Sequence, residues 1–219
     1  MIAQEIEAIR SELHEGVRLV AVSKYHPEEA VAEAYDAGQR VFGESHVQEL
    51  MRKYEALPKD IDWHFIGHLQ TNKVKYMAPF VGLIHAVDSV KLLKEIERQG
   101  ERCQRTINCL LEVHVAQEES KYGFKPNELL QMLDEGEWKQ LKYVSINGLM
   151  AMASNTDDEE RIRQDFQTVR TLFTTAKSRF FAEDANFKEI SMGMSHDYRI
   201  AMEEGATLVR IGTRIFGNR

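Results

Sequence analysis

The sequence is poor in cysteine and proline and has no long apolar run. Cys103 and Cys109 are the only cysteines among 219 residues, and their spacing fits neither a disulfide framework nor a zinc ribbon. No stretch approaches the roughly 20 apolar residues that a membrane helix requires. The chain has four prolines and no Gly-, Ser- or Pro-rich linker. These absences predict one soluble domain over residues 1–219 and argue against redox chemistry.

Clustered positive charge is also missing. The 28 lysines and arginines are outnumbered by 35 acidic residues, which gives a net charge of −7 without any basic block. Nucleic-acid surfaces depend on neutralising phosphates, so we expect no nucleic-acid partner. The N-terminal stretch MIAQEIEAIRSELHEG is charged and helical in pattern, without the apolar segment of a signal peptide. The expected location is cytoplasmic, with no membrane partner.

Short β-rich apolar runs alternate with amphipathic helical patterns along the chain. This alternation predicts parallel strands joined by right-handed crossovers. Eight such units suggest an α/β fold in the form of a closed (β/α)8 TIM barrel, preceded by an extra N-terminal helix. A doubly wound open sheet is the alternative, because alternation alone does not show closure. The predicted strands are 18–24, 39–45, 61–68, 81–87, 106–115, 143–152, 187–194 and 207–216.

Lys24 closes the first apolar run, RLVAVSK. Active sites of such barrels gather at the carboxyl ends of the strands, so Lys24 is expected at the barrel mouth. A lysine there can simply extend its ammonium group into solvent. Partial desolvation would instead favour the neutral amine, which can condense with an aldehyde.

Small hydrogen-bonding residues end the last two strands, in SMGMS and RIGT. The loops after strands 7 and 8 often bind phosphate in barrels. Gly212 would let the backbone approach an anion and Thr213 would add a donor, although both residues are common in turns. Ser191 is a further candidate, unless it only satisfies local backbone groups. Strands 1 and 8 are neighbours in a closed barrel, so one phosphorylated aldehyde would reach both groups.

Other polar and flexible side chains are expected near the same mouth. Arg210 alternates with Gly212 and, facing a pyridine nitrogen, would keep that nitrogen unprotonated; a surface ion pair is the alternative. His64 and His68 would be roughly 13 Å apart on a strand, too far to share a metal ion. His64 is therefore expected beside a cofactor, or packed in the core. Met150, in the stretch LMAMA, would line the cofactor or fill the core.

Many motifs, in order along nearly the whole chain, resemble the pyridoxal-phosphate homeostasis family. The resemblance implies a barrel like the alanine racemase N-terminal domain, holding pyridoxal 5′-phosphate (PLP) as a Schiff base on Lys24. It also implies phosphate contacts from Ser191, Gly212 and Thr213, and places Arg210 at the pyridine nitrogen. The motifs are AVSK (21–24), VFGE with VQEL (41–50), WHFIGHLQTNK (63–73), VDS (87–89), ESKYGF (119–124), GLM (148–150), SMGMS (191–195) and VRIGTRIFGNR (209–219).

The chain departs from the family pattern close to the expected site. Ser45, an expected cofactor contact, and His46 stand where many relatives carry asparagine and tyrosine. His26 stands where a second lysine is common. Lys121 in ESKYGF matches another family lysine that takes part in handling the cofactor. The substitutions leave the ring contacts open.

Two functions compete at this stage. A racemase needs an acid–base group on each face of its substrate, Lys24 and commonly a tyrosine from another domain or subunit. The sequence ends at FGNR, directly after the last predicted strand, and nothing places Tyr25, Tyr122 or Tyr143 opposite Lys24. The resemblance implies a carrier without catalytic residues that buffers PLP and hands it to PLP-dependent apoenzymes, as a monomer or weak dimer. A PLP-dependent amino-acid racemase is the alternative.

Overall fold

Eight short parallel strands pair side by side in chain order, β1 to β8, in the computed structural model, which describes residues 1–118 and 122–217. The strands are β1 (Arg18–Val22), β2 (Val41–Glu44), β3 (Asp62–Phe65), β4 (Leu83–Val87), β5 (Ile107–Val113), β6 (Val144–Ala151), β7 (Glu189–Ser191) and β8 (Leu208–Ile211). The helices are α1 (Ile2–Glu12), α2 (Glu28–Asp36), α3 (Val47–Ala56), α4 (Val74–Met77), α5 (Val90–Cys103), α6 (Pro126–Glu135), α7 (Glu159–Phe180), α8 (Tyr198–Glu203) and α9 (Thr213–Phe216).

The barrel closes where the first strand meets the last. Residues 18–21 of β1 pair in parallel with residues 208–211 of β8, so neither strand is left as an edge. Closure buries both faces of most strands, which explains why they read as continuous apolar runs. The predicted closed barrel and the extra helix α1 are confirmed, and the open sheet is excluded.

The last predicted strand is wrong over its second half. β8 ends at Ile211, and Thr213 begins the short helix α9 instead. The backbone N–H groups of Ile215 and Phe216 both donate to the Gly212 carbonyl at 2.9 Å, which curls the chain into a turn. Apolar residues in a single helical turn cannot be told from a strand by pattern alone.

A charged cluster fastens helix α1 to the last two helices. The Glu12 carboxylate accepts hydrogen bonds from Arg214 at 2.6 Å and Arg199 at 2.9 Å, and also from the Tyr198 hydroxyl. These donors, Arg214 above all, hold the pKa of Glu12 below its usual range. The cluster ties α1 to α8 and α9, which follow the loops after β7 and β8.

A bulge in β6 changes which side chains face the barrel interior. Gly148 has a φ of +151°, and a Cβ there would lie 1.8 Å from the Glu189 carbonyl oxygen. The β5–β6 register shifts at the same point. Asn147 before the bulge and Met150 after it therefore both face inward, although they are three residues apart. In the described residues no helix combines the length and apolar character needed to span a membrane.

Candidate functional site

A cavity of about 640 Å³, the mouth pocket, opens at the carboxyl ends of the strands. Five of the residues proposed from sequence line it together: Lys24, Ser45, Arg210, Gly212 and Thr213. Lys24 lies two residues beyond β1, and Gly212 lies directly beyond β8, the strand that pairs with β1. The amine and the small loop residues thus meet in one cavity, as the order of strands predicts.

The mouth pocket carries more basic than acidic side chains, although the whole chain is acidic. Among the described residues that line it are two basic side chains, Lys24 and Arg210, and one carboxylate, Glu112. Three histidines add further nitrogen donors at the rim. A low-dielectric cleft with this balance attracts an anion such as phosphate. The rim histidines are His26, His68 and His196.

The turn that carries Lys24 is held by a carboxylate from α3. Tyr25, the next residue, has a left-handed φ of 67°, which is unfavourable for a residue with a bulky side chain. Its backbone N–H donates to the Glu49 carboxylate at 2.7 Å, which compensates for the strained turn. The direction of the Lys24 backbone is thereby fixed by α3.

A second lysine lies directly behind this turn but has a different environment. Lys53 is fully buried, and its Nζ donates to the Ser23 carbonyl at 2.7 Å, to Glu44 at 2.7 Å and to Glu49 at 2.9 Å. An ammonium group has three donors, so all of them are used. Burial raises the pKa of Glu44 against the opposing charge of Lys53. Lys53 is thus a structural cation, whereas Lys24 faces the cavity.

Gly212 is required at the base of the mouth pocket for steric reasons. A Cβ at this position would lie 2.8 Å from the Val22 carbonyl oxygen, a backbone atom that cannot move aside. The Gly212 N–H donates to the Ser195 hydroxyl at 3.4 Å, and Ser195 also lines the pocket. Ser195, Gly212 and Thr213 therefore form a small polar cradle from the loops after β7 and β8.

Ser191 does not line the mouth pocket, contrary to its expected role as a phosphate contact. It is fully buried inside the barrel, where its Oγ accepts from Arg210 Nη1 at 2.6 Å and lies 2.8 Å from His85 Nδ1. It pairs with Leu208, three residues before β8 ends at Ile211. Ser195, four residues further along the chain, lines the mouth pocket instead.

Met150 is likewise absent from the lining of the mouth pocket. It is 1% exposed and packs with Val20, Leu110 and Leu208 in the interior cluster. Met152, the next inward-facing residue after the bulge, lines the pocket instead. The core-filling alternative is the correct one for Met150.

His64 lies toward the opposite end of the barrel. It is 2% exposed and lines a separate cavity of about 540 Å³ at the amino ends of the strands, the amino-end cavity. His68, beyond the end of β3, lines the mouth pocket, where it stacks on Tyr122 with ring centroids 3.8 Å apart. Strand alternation predicts an inward His64 correctly but not its depth. The described residues contain no cluster of three metal-ligating side chains, and Lys121 lies outside the described residues.

Glu112 is a charged residue of the site that sequence reasoning missed. It is 4% exposed, and its Oε2 has no hydrogen-bond partner among the described residues. Burial, with the charge of Asp88, raises its pKa to about 7 against the effect of Arg210. The sequence signal for Glu112 is that it is the only acidic residue in the apolar run INCLLEV (107–113). At neutral pH this carboxyl group can hold or release a proton inside the pocket.

Arg210 forms the floor of the mouth pocket. Its Nη2 donates to the Ala151 carbonyl at 3.0 Å, while Nη1 donates to Ser191. Burial lowers its pKa to about 10, opposed by the charges of Asp197 and Glu112. The guanidinium group therefore remains charged at neutral pH and is held from below by two acceptors.

Comparison with known proteins identifies the family. A family model described as alanine racemase, N-terminal domain, matches residues 1–219. A pyridoxal phosphate homeostasis protein of Aquifex aeolicus is 40% identical over 203 residues, covering 92% of this chain and 87% of that protein. The chain belongs to the pyridoxal phosphate homeostasis family. The human member of this family is 39% identical and covers 92% of this chain and 76% of its own length.

Solved structures agree with this family assignment. PipY of Synechococcus elongatus without PLP is 36% identical, with a TM-score of 0.93 over 99% of this chain and 100% of PipY. The structure of PipY with PLP bound has a TM-score of 0.89 at the same identity and coverage. An alanine racemase of Clostridium difficile, 13% identical with a TM-score of 0.74, shares the fold, and this chain covers 56% of it.

Proposed function

We propose that this chain binds PLP in the mouth pocket as a Schiff base on Lys24 and serves as a PLP carrier in vitamin B6 homeostasis. The proposal depends on one observation: Lys24, Arg210, Gly212 and Thr213 all line the same cavity. The family name and the PLP-bound structure of PipY support the choice of ligand.

The mouth pocket fits PLP in size and chemistry. Its volume of about 640 Å³ lies within the range of cofactor sites. The cradle of Ser195, Gly212 and Thr213 offers hydroxyl and backbone donors to a phosphate group, with no Cβ on Gly212 to block its approach. Lys24 supplies the only pocket-lining amine of a lysine side chain among the described residues.

Each polar residue of the mouth pocket would have a distinct role toward bound PLP. When bound, PLP supplies an aldehyde that condenses with an amine and a ring that withdraws electrons. Arg210 has donors and no acceptor, so it would leave a facing pyridine nitrogen unprotonated and weaken that electron withdrawal. Glu112 would exchange the proton that Lys24 must lose before it bonds and regain on release. Ser195 and Thr213 would hold the phosphate.

A carrier fits this pocket better than a racemase. Of the three tyrosines considered from sequence, Tyr122 lines the pocket, but it is 53% exposed and stacked on His68. An efficient acid–base group requires a fixed position against the reacting carbon and exclusion of water. Restraint of the ring by Arg210 also disfavours carbanion chemistry. We therefore propose that PLP is stored and passed to apoenzymes rather than used in turnover.

Chemical trapping tests the binding site. The protein would be loaded with PLP, reduced with borohydride and digested, and the pyridoxyl group located by mass spectrometry. We expect the adduct on Lys24 and loss of the visible absorption band in Lys24→Ala. Lys188→Ala, which removes a lysine from the amino-end cavity, is the matched control and should keep the band. An adduct mainly on another lysine would overturn the assignment.

Two activity measurements test the carrier role. The loaded protein would be incubated with L- and D-amino acids, and efficient interconversion would reject the carrier in favour of a racemase. The loaded protein would also be mixed with a PLP-dependent apoenzyme while a phosphatase destroys free PLP. Reactivation faster than that obtained with free PLP under the same conditions is expected from direct transfer. Equal rates would limit the role to buffering.

A further inference from the structure

A chain of hydrogen bonds crosses the barrel interior from the amino-end cavity to the mouth pocket. Asp62 Oδ2 lies 3.3 Å from His64 Nε2, and His64 Nδ1 lies 2.9 Å from His85 Nε2. His85 Nδ1 lies 2.8 Å from Ser191 Oγ, which accepts from Arg210 Nη1 at 2.6 Å. We call Asp62, His64, His85 and Ser191 the interior relay. It ends on the guanidinium group of Arg210.

The two ends of this chain have fixed roles. Arg210 has only donors, so it must donate to Ser191. Burial disfavours the charged form of Asp62, but the hydrogen bond from His64 and the charges of Arg18 and Arg105 hold its pKa below the usual range. Asp62 is therefore an ionised acceptor at neutral pH. One end of the chain can only give hydrogen bonds and the other can only receive them.

With a neutral His64, these ends determine the protons between them. A neutral His64 must carry its proton on Nε2 to donate to Asp62, which leaves Nδ1 as an acceptor. His85 must then donate from Nε2 and accept at Nδ1 from the Ser191 hydroxyl. In this arrangement all hydrogen bonds point from the mouth pocket to the amino-end cavity.

The electrostatic surroundings agree with a neutral His85. Burial holds the pKa of His85 well below its usual range, assisted by the charges of Arg210 and Arg18. Across the amino-end cavity the other charged side chains are Lys188 and Glu189, and Glu189 is paired with Arg18 at 2.7 Å. No described carboxylate other than Asp62 contacts the relay.

We propose that the interior relay positions Arg210: it fixes the guanidinium group at the floor of the mouth pocket and transmits the charge of Asp62 to that pocket. The effect on the cofactor rests on the proposed PLP function, whereas the hydrogen-bond direction does not. A fully satisfied polar chain in a low-dielectric core polarises along its length and holds one geometry. Four residues of strand separate the depth of Asp62 from the mouth, about 13 Å, so breaking the relay at Ser191 is needed to distinguish transmission from direct Coulomb interaction.

The first test reads the histidine tautomers directly. Nitrogen-15 NMR of histidine-labelled protein distinguishes protonated from unprotonated ring nitrogens, and His64→Gln and His85→Gln assign the two signals. We expect Nε2–H with an unprotonated Nδ1 at both residues at neutral pH, with or without PLP. An Nδ1–H form or a charged ring at either residue would overturn the proposal. This measurement stands even if the protein does not bind PLP.

The second test measures transmission with a double-mutant cycle. The pH midpoint of the visible PLP band would be recorded for the wild type, Asp62→Asn, Ser191→Ala and the double variant. We expect Asp62→Asn to shift the midpoint by a few tenths of a pH unit, and no further shift when Ser191→Ala has already broken the relay. Asp60→Asn, two residues away on the exposed loop where it binds Tyr35 and Arg40, is the control.

The outcomes separate the two proposals. If Asp62→Asn behaves like Asp60→Asn, or if its shift persists in the Ser191→Ala background, transmission through the relay is rejected. Asp62 keeps 45% of its side chain exposed, so its substitution leaves folding intact. If the wild type shows no PLP band, the proposed function fails while the NMR measurement still decides the relay.

Discussion

At the scale of single residues, environment rather than residue type separates two neighbouring lysines. Lys24 lines the mouth pocket, whereas Lys53 is enclosed by Glu44, Glu49 and the Ser23 carbonyl. The buried cation neutralises carboxylates that hold the Lys24 turn. The position of the Lys24 turn therefore depends on the complete burial of Lys53.

Removing the buried cation tests this dependence. We expect Lys53→Met to lower the free energy of unfolding by about 3–5 kcal/mol, because Glu44 is left as an uncompensated buried charge. Urea denaturation measures the effect, with exposed Lys59→Met as the control. Glu44→Gln added to Lys53→Met should recover part of the loss. A double variant no more stable than Lys53→Met would contradict this account.

Glu112 predicts an unusual dependence of stability on pH. Its folded pKa of about 7 exceeds the ordinary value of 4.5, so the folded state binds the extra proton between these pH values. The stability it contributes is complete below about pH 4.5 and is lost as pH rises through about 7.

The variant Glu112→Gln removes this titration. In PLP-free protein we expect it to be more stable than the wild type at about pH 8, by on the order of 2 kcal/mol, and nearly equal at about pH 5. Thermal unfolding across this range measures the difference, with exposed Glu55→Gln as the control. A constant difference at all pH values would show that Glu112 does not titrate near neutrality.

At the scale of elements, strand ends and one bulge decide which side chains reach the mouth pocket. After the bulge at Gly148, the even-numbered residues of β6 face the barrel interior instead of the odd-numbered ones. Met152 therefore reaches the mouth pocket. The close contact between Gly212 and the β1 backbone seats the loop after β8 against Val22. The position of the small polar cradle is therefore set by the pairing of β1 with β8.

Gly212→Ala tests that contact. Its Cβ would meet the Val22 carbonyl oxygen at 2.8 Å, so the β8 loop must move away from β1. We expect a loss of about 1–3 kcal/mol in stability and about a tenfold or greater loss in PLP affinity. Denaturant unfolding and titration of the PLP band measure the two effects. Unchanged affinity would show that the loop backbone does not contact the phosphate group.

At the scale of the whole molecule, closure makes the two ends of the described barrel interdependent. β8 completes the hydrogen bonding of both β1 and β7, while α1 packs outside the ring through Ile6 and Ile9. Loss of β8 would expose two strand edges, whereas loss of α1 would expose none. Deletion of β8 would therefore open the barrel, whereas deletion of α1 would remove only packing outside it.

A matched pair of truncations tests closure. A chain ending at Glu204 should lose its cooperative thermal transition and aggregate, because the barrel is open. A chain beginning at Leu13 should keep a cooperative transition at a lower temperature, having lost roughly 3 kcal/mol or more from the burial of Ile6 and Ile9. Thermal unfolding followed by circular dichroism compares them. Equal cooperativity in both chains would show that closure does not govern folding.

The sequence by itself determined the alternation of strands and helices and the residues at the strand ends, whereas closure into a barrel was one of two alternatives. Alternating strand and helix patterns specify parallel crossovers, and residues at adjacent strand ends must meet whatever the detailed packing. Lys24, Arg210, Gly212 and Thr213 are therefore found together in the mouth pocket, as the sequence predicts.

Only the tertiary structure decided depth and protonation. The alternation of side chains along a strand predicts which of them face the barrel interior. Their depth along the barrel axis depends on strand register, on the bulge at Gly148 and on where each strand ends. The raised pKa of Glu112 and the direction of the interior relay arise from groups far apart in sequence, so no local pattern encodes them. For three residue types a nearby residue lines the mouth pocket in place of the one expected from sequence. They are His68 in place of His64, Met152 in place of Met150, and Ser195 in place of Ser191.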